Sequence, residues 1–238
     1  MRHPGLIIPA IVAAALSAAP VAAAHDAHGR LDGQVVAPAH GDGLTGGELA
    51  QASWTRALEL PGGVDPLAGG CAPVVPHVVR AVRGPDDNSS CVIARRTRLF
   101  VYFGTQCSSV EDAAETRAEQ LACAVASDEA VESILVRVDD LPPVELVRPR
   151  FEVFSPQGTL MLPEDNGFDT PENDVPAGPA TFSAHGWAAV VGRLRPGRHT
   201  VTVTIAAFGD TSIRRVDLWV RPGRRSAAAG QARSGRSG

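Results

Sequence analysis

The sequence predicts a mainly β fold, an antiparallel β-sandwich with an N-terminal helix and one inserted helix. Short segments rich in β-branched and aromatic residues recur along the chain, and proline- and glycine-containing turns separate them. Two other stretches have the periodicity of amphipathic helices. The chain has 238 residues, which is enough for one large β domain with a substantial core.

Each predicted strand is bounded by turn-forming residues and has apolar residues at alternate positions or in a short run. The residues 155–158 (Ser-Pro-Gln-Gly) are predicted to connect two strands that pair with each other. The turn at 195–198 (Arg-Pro-Gly-Arg) is predicted to join two further strands. The predicted strands are 77–83, 91–93, 99–103, 134–138, 144–147, 151–154, 159–162, 181–191, 200–205 and 213–220.

Two helices are predicted, one before the strands and one between them. The first covers residues 48–60 around Trp54, and a Pro-Gly-Gly sequence ends it. The second covers residues 115–126, and Asp112 and Glu115 have the spacing of a capping box at its start. Its apolar stripe is formed by Ala118, Leu121, Ala122 and Val125.

Residues 1–24 have the layout of a secretory signal peptide. Arg2 gives a positive start, a charge-free apolar stretch follows, and Ala22-Ala23-Ala24 offers a small-residue cleavage site. An uncleaved membrane anchor is the alternative, although Pro9 interrupts the apolar stretch. No later segment is apolar for about 18 residues, so we expect no membrane span after signal removal. The protein is therefore expected outside the reducing cytosol.

Two segments beside the domain have compositions typical of disorder. Residues 25–46 are rich in glycine, alanine, histidine and aspartate and are predicted to be a flexible leader. The folded domain is expected to cover residues 47–221. Residues 222–238 form an arginine-, glycine- and serine-rich tail, which is expected to be disordered. Loose electrostatic association of this tail with anionic cell-wall polymers is the functional alternative.

The charge of the chain argues against nucleic acid as a partner. The formal net charge is −4, whereas nucleic-acid-binding domains usually present a basic face. All 22 basic residues are arginines, which fits a GC-rich codon bias better than a recognition surface.

The four cysteines, Cys71, Cys91, Cys107 and Cys123, predict two disulfides, because an even count in an exported chain is typical of a disulfide framework. Thiolate metal binding is less favoured because no C-x2-C pair is present. Three connectivities are possible. Pairing Cys107 with Cys123 is just feasible if residues 108–112 are extended and run back along the helix.

The order of these motifs resembles a family of uncharacterised secreted bacterial proteins, often described as hypothetical or "signal" proteins. The similarity covers about residues 47–220, and the family has no assigned activity. The chain lacks the second aromatic residue of the N-terminal helix, which removes part of any aromatic surface. The motifs that carry the resemblance are Trp54, Pro61, Asp65-Pro66-Leu67, the four cysteines around strand 99–103, Pro176-Ala177-Gly178, Gly186-Trp187 and Leu194-x-Pro196-Gly197-x-His199-Thr200.

The resemblance implies an architecture and a disulfide pairing rather than a reaction. The implied bonds are Cys71–Cys91 and Cys107–Cys123.

Two histidines are candidates for catalysis or metal binding. If their strands are neighbours, His185 and His199 could converge on a metal or act as a base. In the alternative interpretation, His199 hydrogen-bonds to the backbone across the Pro196-Gly197 turn, and His185 is exposed. The sequence contains no Gly-x-Ser-x-Gly elbow and no His-Glu-x-x-His helix, so it has no established hydrolase signature.

The acidic segment 164–174 is a candidate calcium site, with Asp165, Asp169 and Asp174 as the ligands. Calcium prefers six to eight such oxygen ligands, but the spacing does not match an EF-hand. An exposed acidic hairpin is the alternative. Calcium is the only cofactor for which the sequence supplies a candidate.

Two tryptophans are candidate ligand-binding residues. Trp54 and Trp187 could form a stacking platform for a carbohydrate, or Trp54 could anchor its helix in the core.

These observations favour a secreted, non-enzymatic binding or structural module of the cell exterior. The alternative is an extracellular hydrolase with a site near His185 and His199. An enzyme should have a concave pocket near these histidines that holds polar groups with shifted ionisation, whereas a binding module should have a flat aromatic or acidic face.

Signal cleavage is directly testable. We expect protein recovered from the medium of the producing cells to begin at or near His25 when it is analysed by intact-mass spectrometry. Recovery of the full-length chain in the membrane fraction alone would contradict this prediction.

Overall fold

The structure is a computed structural model and describes residues 35–61, 70–81, 88–166 and 175–222. The predicted signal peptide and residues 223–238 of the predicted tail lie outside these ranges. The fold is mainly β, as predicted. The strands are β1 (Val36–Pro38), β2 (His40–Gly41), β3 (Leu44–Thr45), β4 (Cys71–Val75), β5 (Val78–Ala81), β6 (Asn88–Ile93), β7 (Arg98–Ser108), β8 (Val131–Val138), β9 (Val144–Glu145), β10 (Glu152–Phe154), β11 (Gly158–Leu162), β12 (Gly178–Val191), β13 (Gly197–Ala207) and β14 (Asp210–Val220). The helices are α1 (Gly46–Leu58) and α2 (Arg117–Asp128).

Two sheets form the sandwich. The first has the strand order β1-β12-β7-β5-β4, and β10 and β11 also pair with the long strand β12. The second has the order β6-β14-β13-β8-β9. Strands β2 and β3 form a separate small hairpin.

The sheets are mixed rather than purely antiparallel, which corrects the sequence-based expectation. β5 pairs with β7 in parallel, and β6 pairs with β14 in parallel. The reason is the connection between β5 and β6: the chain leaves the first sheet after Ala81 and enters the second at Asn88. Each parallel pair therefore lies at the side of the sandwich where the chain changes sheets.

The main core lies between the two sheets. Val101 of β7 and Ala189 of β12 belong to the same buried cluster as Ile134 of β8, Val203 of β13 and Leu218 of β14. The strand pattern accounts for this: alternate residues of these strands face inward, as the period of two requires.

Helix α1 covers the other face of the first sheet. Leu49 and Ala50 are fully buried against Phe100 of β7 and Val190 of β12. A capping box formed by Thr45 and its partner at the third helical position starts the helix. The predicted N-terminal helix is therefore confirmed, although it begins and ends about two residues earlier than expected.

Helix α2 is present, but its predicted buried stripe is wrong. The capping box uses Thr116 and Glu119 instead of Asp112 and Glu115. Three residues of the helix are buried: Gln120, Ala124 and Asp128. The predicted stripe of Ala118, Leu121, Ala122 and Val125 is partly or fully exposed.

The polar face of α2 is satisfied by hydrogen bonds. The Gln120 amide donates to the Ala114 carbonyl and to the Thr181 hydroxyl, and its oxygen accepts from Ser183 and Gln157. Buried polar groups are tolerated when they are paired in this way. An apolar-periodicity argument cannot identify such a helix face.

Both disulfides have the pairing implied by the resemblance. Cys71–Cys91 joins β4 of the first sheet to β6 of the second, with Cα atoms 5.3 Å apart. Cys107–Cys123 joins β7 to α2, with Cα atoms 6.0 Å apart. The extended return of residues 108–112 that the geometric argument required is wrong: the N–H groups of Asp112 and Ala114 both donate to the Ser108 carbonyl in a turn. The disulfide forms because α2 begins only at Arg117, which leaves a longer connection after Ser108.

Three further details differ from the predictions. Residues 36–45 contain three short strands, and β1 pairs with β12, so ordered structure begins inside the predicted flexible leader. The two strands on either side of residues 155–158, β10 and β11, were predicted to pair with each other. Instead, both pair with β12. Strand β4 was not predicted.

The Cys71–Cys91 disulfide, which joins the two sheets, is expected to contribute substantially to the free energy of unfolding. Replacing Cys71 and Cys91 together by serine removes a bridge over a sequence separation of 20 residues. A loop of this size stabilises a protein by about 3 kcal/mol, mainly by restricting the unfolded chain. We expect urea unfolding to show a loss of about this size.

The double replacement of Cys107 and Cys123 is the matched comparison, because its loop is similar in length. A Cys71/Cys91 variant with wild-type unfolding free energy would contradict the prediction.

Candidate functional site

His185 is buried between two carboxylates. It lies on β12 and is 3% exposed. Its Nδ1 atom is 2.9 Å from Asp128 Oδ2 and its Nε2 atom is 3.2 Å from Glu152 Oε1. Asp128 also accepts from the hydroxyl of Thr105 at 2.7 Å and from the Thr105 N–H at 3.2 Å. The interpretation in which His185 is exposed is therefore wrong.

The register of the first sheet explains this cluster. Thr105 of β7 and Phe154 of β10 both lie opposite His185 of β12, so the three side chains share one face. Asp128, the last residue of α2, reaches this face because the helix packs on β7 and β12. The rings of Phe154 and Trp187 lie 4.9 Å and 5.3 Å from the imidazole.

The pKa of His185 is raised. Burial alone would lower this pKa, but the hydrogen bonds to Asp128 and Glu152 and their negative charges outweigh it. The imidazolium form is thus favoured between the two carboxylates. Because both ring nitrogens are occupied, neither is available to accept a proton from a serine hydroxyl.

His199 lies in the other sheet. Its strand β13 does not neighbour β12, so the two histidines do not converge on one site. Nδ1 of His199 is 2.7 Å from Asp139 Oδ2, and Nε2 is 2.8 Å from the Arg195 carbonyl. Burial lowers the pKa of His199, but Asp139 and the Arg195 carbonyl raise it by more. The backbone bond across the turn, one of the two interpretations above, is present.

Tyr102 connects the histidine cluster to the opposite face of the sheet. Its hydroxyl donates to the His185 carbonyl at 2.7 Å and accepts from Nε1 of Trp54 at 3.3 Å. Burial raises the pKa of Tyr102 well above its ordinary value, which outweighs the lowering effect of the Trp54 hydrogen bond, and the Asp128 charge adds to the rise. The phenol therefore remains a protonated donor.

Two facing glycines make room for this tyrosine. Gly104 lies opposite Gly186, whose φ of +153° favours glycine. A Cβ atom at Gly104 would be 2.8 Å from the Tyr102 hydroxyl oxygen, which is closer than side-chain carbons approach. The missing side chain at Gly104 therefore leaves room for the Tyr102 hydroxyl and for the close approach of the β12 backbone.

A cleft of about 360 Å³ lies beside Tyr102. It is bounded by α1, by the edge of β7 and by the inner side of the second sheet. The described part of its lining is mainly apolar and includes the charged residues Arg80 and Arg214. The other described lining residues are Ser53, Trp54, Ala57, Ala81, Ser89, Leu99, Phe100, Val101, Tyr102, Phe103, Gly104, Val203, Ile205 and Val216.

The predicted tryptophan pair does not form one platform. Trp187 is 9% exposed and packs in the core between the sheets. Trp54 is half-buried on α1, contacts a separate apolar cluster and lines the cleft. Trp54 thus combines the predicted anchoring role with a position at a concave site.

A third tryptophan, Trp219, was missed by the sequence reasoning. It is 53% exposed on the outer face of the second sheet. The guanidinium carbon of Arg198, the residue opposite on β13, lies 5.9 Å from the ring centroid, and the exposed Val92 lies opposite on β6. The alternation of side chains along strand 213–220 would have placed Trp219 on the face that points away from the core.

The calcium candidate is described only in part. Asp165 is exposed, whereas Asp169 and Asp174 lie outside the described residues. Elsewhere in the described part of the chain, Asp112 lies near the sulfur atoms of Cys107 and Cys123, but these sulfurs form a disulfide. That cluster therefore lacks free thiolate ligands.

Neither helix in the described ranges combines the length and the apolar character needed to cross a membrane.

Comparisons with known proteins do not identify a family. No protein-family model matches the chain, and no curated protein matches it. Among solved structures, the chain is similar to the solution structure of amebosin, with 7% identity over 60% of this chain and 97% of that chain. The TM-score is 0.23, so this likeness carries no argument about fold or function.

The raised pKa of His185 predicts a pH dependence of stability. A histidine whose pKa is raised by folding stabilises the native state fully below its unfolded pKa of about 6.5. This contribution is lost as the pH rises through the raised value. We expect the unfolding free energy, measured in urea, to fall over this range, and His185→Gln to flatten the decline.

His199→Gln is the control, because the raised pKa of His199 has the same sign but its partner Asp139 is more exposed and better screened. An unchanged pH slope in His185→Gln would show that the cluster does not titrate as described.

Proposed function

We propose that this protein is an exported, non-enzymatic binding module that holds its ligand in the cleft between α1, β7 and the second sheet. The observation that carries the proposal is a concave, mainly apolar cleft whose described lining comes from α1, β5, β7 and the second sheet. Its volume of about 360 Å³ is within the range of ligand sites, which are usually concave and mostly apolar.

The lining supports binding more than catalysis. Among the described residues that line the cleft there is no histidine, carboxylate or cysteine. Ser53 therefore has no general base among the described lining residues. Tyr102 is a protonated hydrogen-bond donor that is already committed to the His185 carbonyl.

The alternative of a hydrolase near His185 and His199 has less support. Both ring nitrogens of each histidine have a hydrogen-bond partner, and the two residues lie in different sheets. Neither histidine lines the cleft. The histidines are better explained as parts of structural hydrogen-bond networks.

Export is the second part of the proposal. Two disulfides fit an oxidising compartment, and residues 1–24 have the pattern of a signal peptide. The module would then act at the cell exterior. Adhesion of the arginine-rich tail to anionic wall polymers is compatible with this location and would be weakened by salt.

A fluorescent apolar dye tests the cleft. Anilinonaphthalene sulfonate has an apolar ring system, which suits the mainly apolar lining of the cleft. We expect the native protein to enhance dye fluorescence. Ala57→Phe should fill the cleft from α1 and weaken dye binding by about tenfold, or about 1.4 kcal/mol.

The matched control is Glu59→Phe, which adds the same ring at an exposed residue outside the cleft. Circular dichroism checks that both variants are folded. Equal dye binding by both folded variants, or none by the wild type, would overturn the proposal that this cleft is a ligand site.

A further inference from the structure

We infer that one end of the sandwich, together with the exposed Trp219 beside it, binds an acidic polysaccharide. This surface shares no residue with the described lining of the cleft, so the inference goes beyond the proposed function. It is carried by the positive charge at this end, by the opposite charge at the other end and by the tryptophan at the border.

The strand pairing brings several connections to the same end of the sandwich. The parallel strands β6 and β14 end together at Ile93 and Val220, and β13 begins opposite Val220 at Gly197. Short connections link β6 to β7 and β12 to β13, so the first sheet reaches the same end. The exposed arginines here form what we call the basic end: Arg95, Arg96, Arg193, Arg195, Arg198 and Arg221.

The basic end is dense in positive charge. Neighbouring strands are about 4.8 Å apart, so the ends of β6, β14 and β13 span only about 10 Å. Charges this close act together, because the screening length at physiological salt is about 8 Å. Two aspartates, Asp139 and Asp140, follow β8 at this end, and Asp139 is already hydrogen-bonded to His199 and to the Thr200 N–H. Among the described residues, no carboxylate forms an ion pair with an arginine of the basic end.

The opposite end of the sandwich has the reverse charge. The described connections at that end contain no arginine. The formal net charge of −4 therefore conceals an uneven distribution, which attracts an anionic partner to one end and repels it from the other. The exposed carboxylates of the opposite end include Glu111, Asp112, Glu129, Glu164 and Asp165.

Trp219 favours a saccharide as the anionic partner. Its ring is 53% exposed one residue before β14 ends, and the guanidinium carbon of Arg198 lies 5.9 Å from the ring centroid. Asp217, on the same face of β14, accepts from the Thr200 hydroxyl at 3.1 Å. A polysaccharide presents hydroxyl groups between its acidic groups, which suits an aromatic ring, a carboxylate and a hydroxyl beside arginines. A nucleic acid carries phosphate along its whole length and would meet Asp217 unfavourably.

The experiment titrates the protein with four probes and follows binding by calorimetry. Oligogalacturonate is the acidic saccharide. Its methyl ester keeps the sugars and removes the charges, whereas polyglutamate keeps carboxylates and removes the sugars. Oligothymidylate represents a single-stranded nucleic acid. We expect oligogalacturonate to bind with an affinity that falls as salt rises, and the other three to bind at least about tenfold more weakly.

Two matched charge variants locate the binding surface. Arg95→Ser combined with Arg96→Ser removes two charges from the basic end, and Arg224→Ser combined with Arg225→Ser removes two from the C-terminal tail. We expect only the first pair to weaken oligogalacturonate binding, by about tenfold.

Two apolar variants test the stacking contact. Trp219→Ala should weaken oligogalacturonate binding by about tenfold, whereas Trp219→Tyr, which keeps an aromatic ring, should largely retain it. Ile213→Ala is the control, because it shortens another exposed apolar side chain on the same face of β14. Circular dichroism checks that each variant is folded. If Trp219→Ala fails to fold, the four probes and the charge variants decide.

Absence of oligogalacturonate binding would overturn the inference, as would equal weakening by the two charge pairs. Polyglutamate binding as tightly as oligogalacturonate would reject the saccharide, and tighter binding of oligothymidylate would point to a nucleic acid instead. None of these outcomes alters the dye experiment, which tests the cleft separately.

Discussion

The disulfide between Cys71 and Cys91 is the constraint on which the geometry of the cleft depends. It joins β4, an edge strand of the first sheet, to β6, an edge strand of the second. The two sheets are thereby held together at the side where the chain crosses between them. The cleft lies at this side, since Ala81 and Ser89, on either side of the crossing, both line it. Its walls therefore belong to two sheets that cannot separate freely.

Near its C-terminal end, β7 is also held by polar contacts. Asp128 is almost fully buried, and it is satisfied by His185 and by two hydrogen bonds from Thr105. Removing one member of such a buried pair leaves an uncompensated charge, which typically costs about 3–5 kcal/mol. The adjacent Cys107–Cys123 bond restrains the same helix covalently. Together these interactions fix the C-terminal end of β7.

The sequence predicted the secondary structure of long, strongly patterned segments, the mainly β class and the two disulfides. It did not predict the buried face of α2, because Gln120 and Asp128 are polar and only tertiary partners make their burial acceptable. Nor did it predict the cleft. Its described lining residues come from α1, β5, β7 and the second sheet, which are far apart in the sequence and come together only in the fold. The parallel pairings were missed for the same reason, because strand direction depends on the path of the connection.

Tyr102 is held in place beside the cleft by hydrogen bonds on two sides. Its ring lies beside the small Gly104–Gly186 pair, and its hydroxyl is held by the His185 carbonyl on one side and by Trp54 of α1 on the other. A ligand that enters the cleft beside Tyr102 would not have to order this side chain first, so less binding free energy is spent on immobilising the site. The hydrogen bonds that join α1, β7 and β12 at this tyrosine thus prepare the cleft for binding.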